Sequence, residues 1–333
     1  MITANKDKFK GIVFGSLVGD ALGGPLEFMS AHEIQEQHGG PVTEMIGGGV
    51  HQLQKGEITD DSQLSMIALE SIVKKGFLDA DDIAGECIKW INAGPKDAGI
   101  LTRKVLKRAQ ENENGKIVGW KKASKEHAER FPDSSRGNGS LMRCYPAALL
   151  SYRHSLSLIF DTARLSQITH YDSVCVAACI MLNQLLVNLF TGSLKTGLFA
   201  DNTPDYSIVP ISTAIPETGY IKNYLMENNP ERPVPGGYVL DTLHIGIWAL
   251  FQPGFEEGLV KVVNRGGDAD TNAAVAGALL GARFGFSAIP QRWLDGLDPQ
   301  IKIRAEYLVE QIYNMPEKKN FGLSGKIQEL FDC

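Results

Sequence analysis

Small residues recur at every fourth position near both ends of the chain. Gly15, Gly19 and Gly23 form one series, and Ala273, Gly277 and Gly281, followed by Gly285, form the other. Both series sit in helix-like apolar stretches, where each glycine costs roughly 1 kcal/mol relative to alanine. A run of them therefore needs a compensating gain, and a smooth face supplies one by letting two helix backbones approach closely. The pattern predicts that the helix following residue 268 crosses the helix at the start of the chain. That crossing carries Asp268 and Asp270 towards Asp20 and Glu27.

Helical periodicity dominates the remainder. Helices are expected at Asn5–Leu22, Ser62–Lys75, Ala80–Asn92, Ile100–Glu111, Asn138–Ser151 and Ser155–Thr169. Others are expected at Asp172–Thr191, Tyr238–Phe251, Glu256–Asn264, Asp270–Phe284 and Gln300–Asn314. Alternation suggesting a strand is confined to Tyr206–Ile211. The Gly-, Pro- and Asn-rich segment from Gly192 to Pro235 also carries Ile208, Ile211, Ile215, Tyr220 and Tyr224, so it reads as an ordered excursion rather than a linker. A single all-α domain over residues 1–333 is the simplest organisation.

Composition excludes several classes. The net charge of −6 comes without a Lys/Arg stripe interleaved with aromatics, which argues against a nucleic-acid surface. The basic stretch Lys116–Lys125 reads as a solvated helix face. The most apolar run, Val174–Phe190, is interrupted by Asn183, Gln184 and Asn188, so no membrane span is expected. The polar segment Met1–Lys10 lacks a signal-peptide core, and a cytoplasmic protein is expected. Five cysteines (Cys87, Cys144, Cys175, Cys179 and Cys333), an odd number without metal-type pairs, argue against a disulfide framework or a zinc cluster, and Cys175 and Cys179, four apart in an apolar helix, read as buried thiols.

Chemistry concentrates in two acidic clusters, Thr59-Asp60-Asp61-Ser62 and Asp268-Ala269-Asp270-Thr271, each at an expected helix start. One aspartate per helix would be explained by N-capping. Paired carboxylates beside a threonine exceed that need, and the excess occurs twice. With no histidine or cysteine beside them, the donors suit Mg²⁺, Mn²⁺ or Ca²⁺. The glycine-rich segments Gly94–Gly99 and Gly137–Ser140 precede expected helices and offer backbone for a phosphate. Gly47-Gly48-Gly49 reads as a mobile loop. None of the seven histidines precedes an aspartate, so the His–Asp pair of all-α metal phosphohydrolases is absent. An all-α Mg²⁺-dependent diphosphate enzyme of the prenyl-synthase kind would need an acid three positions after Asp61, where Leu64 stands.

Taken together, these segments resemble the ADP-ribosylglycohydrolase family. The resemblance runs through Gly15–Gly23 with Glu27, Thr59–Ser62, Lys96–Gly99, Gly137–Arg143 and Thr169-His170, and closes on Asn264–Asn272. It implies an all-α fold of orthogonally packed helices with two Mg²⁺ (or Mn²⁺) ions, cleaving the bond between ADP-ribose and an acceptor. It further implies Thr59, Asp60, Asp61, Asp268, Asp270 and Thr271 as metal ligands, and Asp60, Asp61, Glu27 and Asp268 as catalytic carboxylates. Glu27, Asp97, Gly99, Gly137, Asn138, Gly139, Ser140, Leu141 and His170 would contact substrate. The expected substrate is an ADP-ribosylated protein or a small ADP-ribosyl compound, acted on by a monomer. Arginine is the favoured acceptor, its guanidinium held by Asp97. A non-catalytic ADP-ribose-binding or crystallin-like relative is the alternative.

Overall fold

A computed structural model of the chain describes residues 4–194, 199, 203–210, 215–228 and 233–316. Its first eight helices are α1 (Lys6–Gly23), α2 (Ala31–His38), α3 (Asp60–Lys75), α4 (Ala80–Asn92), α5 (Ile100–Ala109), α6 (Trp120–Arg130), α7 (Tyr145–Ser151) and α8 (Ser155–Gln167). The next seven are α9 (Ser173–Phe190), α10 (Thr218–Glu227), α11 (Val239–Leu250), α12 (Phe255–Val263), α13 (Ala269–Phe284), α14 (Gln291–Gly296) and α15 (Pro299–Tyr313). Strands among the described residues are limited to a hairpin, Asn112–Glu113 with Lys116–Ile117. Asn114 and Gly115 turn it with φ of 53° and 80°, the positive values that an Asn-Gly hairpin turn demands.

The two small-residue series meet as their spacing requires. A Cβ built on Gly11, Gly15, Gly19 or Gly23 would run into the carbonyl oxygen of Gly281, Gly277, Ala273 or Ala269 respectively. One number rises as its partner falls, so α1 and α13 are antiparallel, and backbone touches backbone over three turns. No other helix pair in the described residues packs as extensively. Both helices are buried on nearly every side, which explains why neither sequence shows a polar face.

Around this central pair, α11 and α12 pack on α13, while α3 and α15 pack on each other and on α1. Behind them, α9 packs on α8, α11 and α13. Eighteen residues long, α9 is apolar enough to cross a bilayer, contrary to the sequence expectation, yet 78% of it is buried inside the protein. Its Asn183 is spent there on Cys144 O and Thr162 Oγ1, both 2.9 Å away. One hydrophobic core runs from Phe9 to Ile312, with a small satellite where α5 meets α6.

Three expectations need correction. The helix foreseen over Asn138–Ser151 begins only at Tyr145, because Pro146 has no N–H to give and suits only a first turn. Residues 138–143 are turns instead, so the Gly137–Ser140 segment does not lead directly into a helix. The strand foreseen at Tyr206–Ile211 is a 3-10 turn over Tyr206–Ile208; Ile211 lies outside the described residues, as does Cys333. Cys87, Cys144, Cys175 and Cys179 are free and buried.

Candidate metal centre

The close approach of α1 and α13 sets α13's first turn beside the end of α1, and α3 starts against the same place. Thr59 occupies the N-cap of α3 without using its own side chain as the cap. Asp20, from α1, does that work: its carboxylate accepts from the amides of Thr59 (3.0 Å) and Ser62 (3.1 Å) and from Thr59 Oγ1 (2.8 Å). A fully buried acid thus ties one helix to the start of another. The same Thr59 hydroxyl lies 3.1 Å from Asp61 Oδ2. Thr271 Oγ1 donates to that oxygen at 3.3 Å, across 210 residues of sequence. The two acidic clusters therefore meet directly.

Asp268 reaches the site through a backbone stitch. Gly266 and Gly267 adopt φ of 69° and 66°, and Gly267 exchanges hydrogen bonds of 2.7 Å with Phe28 N and Met29 O. Asp268 consequently stands next to Glu27. Carboxylate oxygens of Glu27, Asp268 and Asp270 lie within 4.8 Å of one another, and so do those of Glu27 and Asp97 with a nitrogen of His51. The Gly47–Gly49 segment is an ordered turn rather than a mobile loop: Gly48 and Leu53 exchange two 2.8 Å backbone hydrogen bonds. That turn presents His51 Nε2 to Glu27 Oε2 at 2.7 Å, with Asp97 Oδ1 at 3.7 Å.

The Gly99 amide, expected to be free for a phosphate, donates to Asp60 Oδ2 at 3.0 Å. Asn138 Nδ2 donates to Asp268 Oδ2 at 2.8 Å and also meets Thr242 Oγ1. Gly137, Gly139 and the buried His170 gather beside one another, with Thr102 between them and Gly99. Leu141 departs from expectation. Its side chain is in the core and its amide donates to Asn138 O at 2.8 Å, so neither faces a ligand. Ser140 likewise turns its hydroxyl inward, onto Ser166 and Cys179.

So many acids in one buried place strain their ionisation. Burial first, then the neighbouring carboxylates, holds Asp61 and Asp270 well above the usual carboxylate range. Asp60 is held up in the same way, against the pull of the Gly99 amide. Burial raises Asp20 to about 6 despite its hydrogen bonds from Ser62 and Thr59. Burial, with Asp97 and Asp268, pushes Glu27 to about 9. Asp268 is raised by burial and eased by Asn138. Asp61 Oδ1 is buried with no hydrogen-bond partner, and an oxygen so placed is what a hard cation satisfies.

An all-helical shell with a buried nest of oxygen donors defines the class, and comparison with known proteins supplies the family. The ADP-ribosylglycohydrolase family model matches residues 1–320. The chain is 32% identical to the ADP-ribosyl-[dinitrogen reductase] glycohydrolase of Rhodospirillum rubrum, over 89% of this chain and 92% of that protein. It is 31% identical to the ADP-ribosylarginine hydrolase Tri1 of Serratia proteamaculans, over 95% of this chain and 81% of that one. A solved structure described as an ADP-ribosylglycohydrolase-related protein complex superposes with a TM-score of 0.73 at 31% identity, covering 93% of this chain and 98% of its own. The chain belongs to the ADP-ribosylglycohydrolase family, and it is a hydrolase.

Two contributors escaped the sequence reading. His51 lies in a polar turn eight residues before Thr59, and no local signal marks it. Asp20 was placed near the site, but its capping of another helix depends on a contact that only the folded chain makes.

Proposed function

We propose that this chain removes ADP-ribose from modified protein side chains, with arginine as the favoured acceptor and two divalent cations, Mg²⁺ or Mn²⁺, as cofactors. One observation carries the reading: the glycine-lined helix pair gathers Glu27, Asp61, Asp268 and Asp270 into a buried cluster that holds an unpartnered carboxylate oxygen. Asp60, Asp61, Asp268 and Asp270, with the hydroxyls of Thr59 and Thr271, are the residues that would hold the ions. Bound there, the ions would supply Lewis-acid polarisation of ribose and water oxygens.

The chain's own groups do the rest. Asn138 fixes the orientation of Asp268 through its 2.8 Å hydrogen bond, and the Gly99 amide does the same for Asp60. Glu27, hydrogen-bonded to His51, is the carboxyl placed to exchange a proton at the scissile bond. Asp97, half-buried beside them, supplies an acid for a guanidinium acceptor. The names of the Rhodospirillum and Serratia relatives support both a protein substrate and arginine. The test is incubation with Mg²⁺ or Mn²⁺ and a panel of ADP-ribosylated arginine, serine and nucleic-acid substrates. Release of ADP-ribose from the arginine conjugate is expected, and no release from any of them by folded protein would refute the reading.

A further inference from the structure

Beneath the Gly137–Ser140 turn lies a buried cation whose hydrogen bonds decide the state of its neighbours. Arg143 is 1% exposed. Its Nη1 donates to Gly139 O and its Nη2 to Thr169 Oγ1, both at 2.7 Å. Arginine only donates, so Thr169 Oγ1 must accept, and the hydroxyl keeps its own proton to give away. His170 Nδ1 stands 2.7 Å from that oxygen, the one acceptor in reach among the described residues. A nitrogen that receives this proton carries none of its own, which leaves the neutral ring protonated at Nε2. The doubly protonated ring has no place here, since burial and the Arg143 charge hold the His170 pKa well below its ordinary value.

The other edge of the ring faces two glycines. A Cβ on Gly139 would lie 2.9 Å from His170 Cε1 and 3.2 Å from Nε2, and one on Gly137 would lie 3.6 Å from Nε2. Neither glycine has a positive φ, so neither is required by the backbone. What their missing side chains provide is a close approach of the turn's backbone to the Nε2 edge, where a side chain would collide with the ring.

We infer that Arg143 and Thr169 are positioning residues that lock His170 as a neutral Nε2–H donor, aimed across Gly137 and Gly139 at an acceptor oxygen of bound ADP-ribose. His170 is then a binding group and never a general base. The inference rests on the substrate proposed above, but the tautomer can be read without any substrate.

The experiment uses the full chain with ¹⁵N-labelled histidine, the His170 resonances being those lost in His170→Gln. Long-range ¹H–¹⁵N correlation should show Nδ1 bare and Nε2 protonated, unchanged from pH 6 to pH 8. Thr169→Val should mix the tautomers and raise KM for the ADP-ribosylated substrate about tenfold, the worth of roughly one hydrogen bond, with kcat within about twofold. Thr169→Ser, which keeps the hydroxyl, should restore both readouts and covers the case of a valine variant that misfolds. A protonated Nδ1 in the wild-type chain, a His170 titrating in that pH range, or a folded Thr169→Val variant with the wild-type resonance pattern would each overturn the inference. Absence of turnover by the wild-type chain would overturn the proposed substrate instead, while the resonances would still decide the tautomer.

Discussion

Glu27→Gln should stabilise the protein stripped of divalent cations, and the gain should grow with pH. Burial and the acids around it push Glu27 to about 9, far above an unfolded glutamate. A carboxyl with a raised folded-state pKa contributes stability below its unfolded pKa and loses it as pH rises through the folded value. Relative to a neutral glutamine, Glu27 therefore costs about 1 kcal/mol at pH 5 and about 5 kcal/mol at pH 8, from 1.36 kcal/mol per pH unit above the unfolded pKa. At about 2 °C per kcal/mol for a chain of this size, the variant should melt roughly 10 °C above wild type at pH 8 and only about 2 °C above it at pH 5. The assay is thermal unfolding followed by circular dichroism in EDTA at pH 5, 6, 7 and 8. A gain that stays flat with pH, or a variant that melts below wild type at pH 8, would show that Glu27 is not held protonated by its surroundings.

Other outcomes follow from the same geometry. Gly277→Ala drives a methyl into Gly15 O; overpacking of about 1–3 kcal/mol should outweigh the roughly 1 kcal/mol of helix propensity gained, lowering the melting temperature. Gly85→Ala, in α4 with nothing near its missing Cβ, should instead raise stability by up to about 1 kcal/mol, measured by urea unfolding. Asp268→Asn should abolish ADP-ribose release while leaving the circular dichroism spectrum unchanged; full activity in the folded variant would remove Asp268 from the site. Adding Mn²⁺ to the EDTA-treated protein at pH 8 should raise its melting temperature, and should do so less in Asp61→Asn, which loses the carboxylate bearing the buried unpartnered oxygen.

Legibility tracked how local each signal was. The glycine series could be read because helix periodicity turns spacing directly into a face, and a smooth face has few uses other than close packing. The doubled aspartates could be read because they exceeded the needs of capping. By contrast, His51 reaches Glu27 only through a six-residue turn closed between Gly48 and Leu53, and a polar turn looks the same in sequence whether or not it touches anything. The late start of α7 was present in the sequence as Pro146, but apolar periodicity from Leu141 onward outweighed it. Leu141 and Ser140 show the limit of transferring roles by resemblance. A motif marks a segment, and the fold decides which of its side chains turn inward.

The glycine seam also sets a timetable. Its first strip, α1, leaves the ribosome well ahead of its partner α13, which follows roughly 250 residues later, on the order of ten to fifty seconds at ordinary elongation rates. Until then α1 has no mate for a face without bulky side chains, and the carboxylates of the site are still far apart on the growing chain. Such long-range pairing slows folding. It also means that no partial product holds the complete acidic cluster, so the chain acquires its chemistry in one late step, when its two ends close on each other.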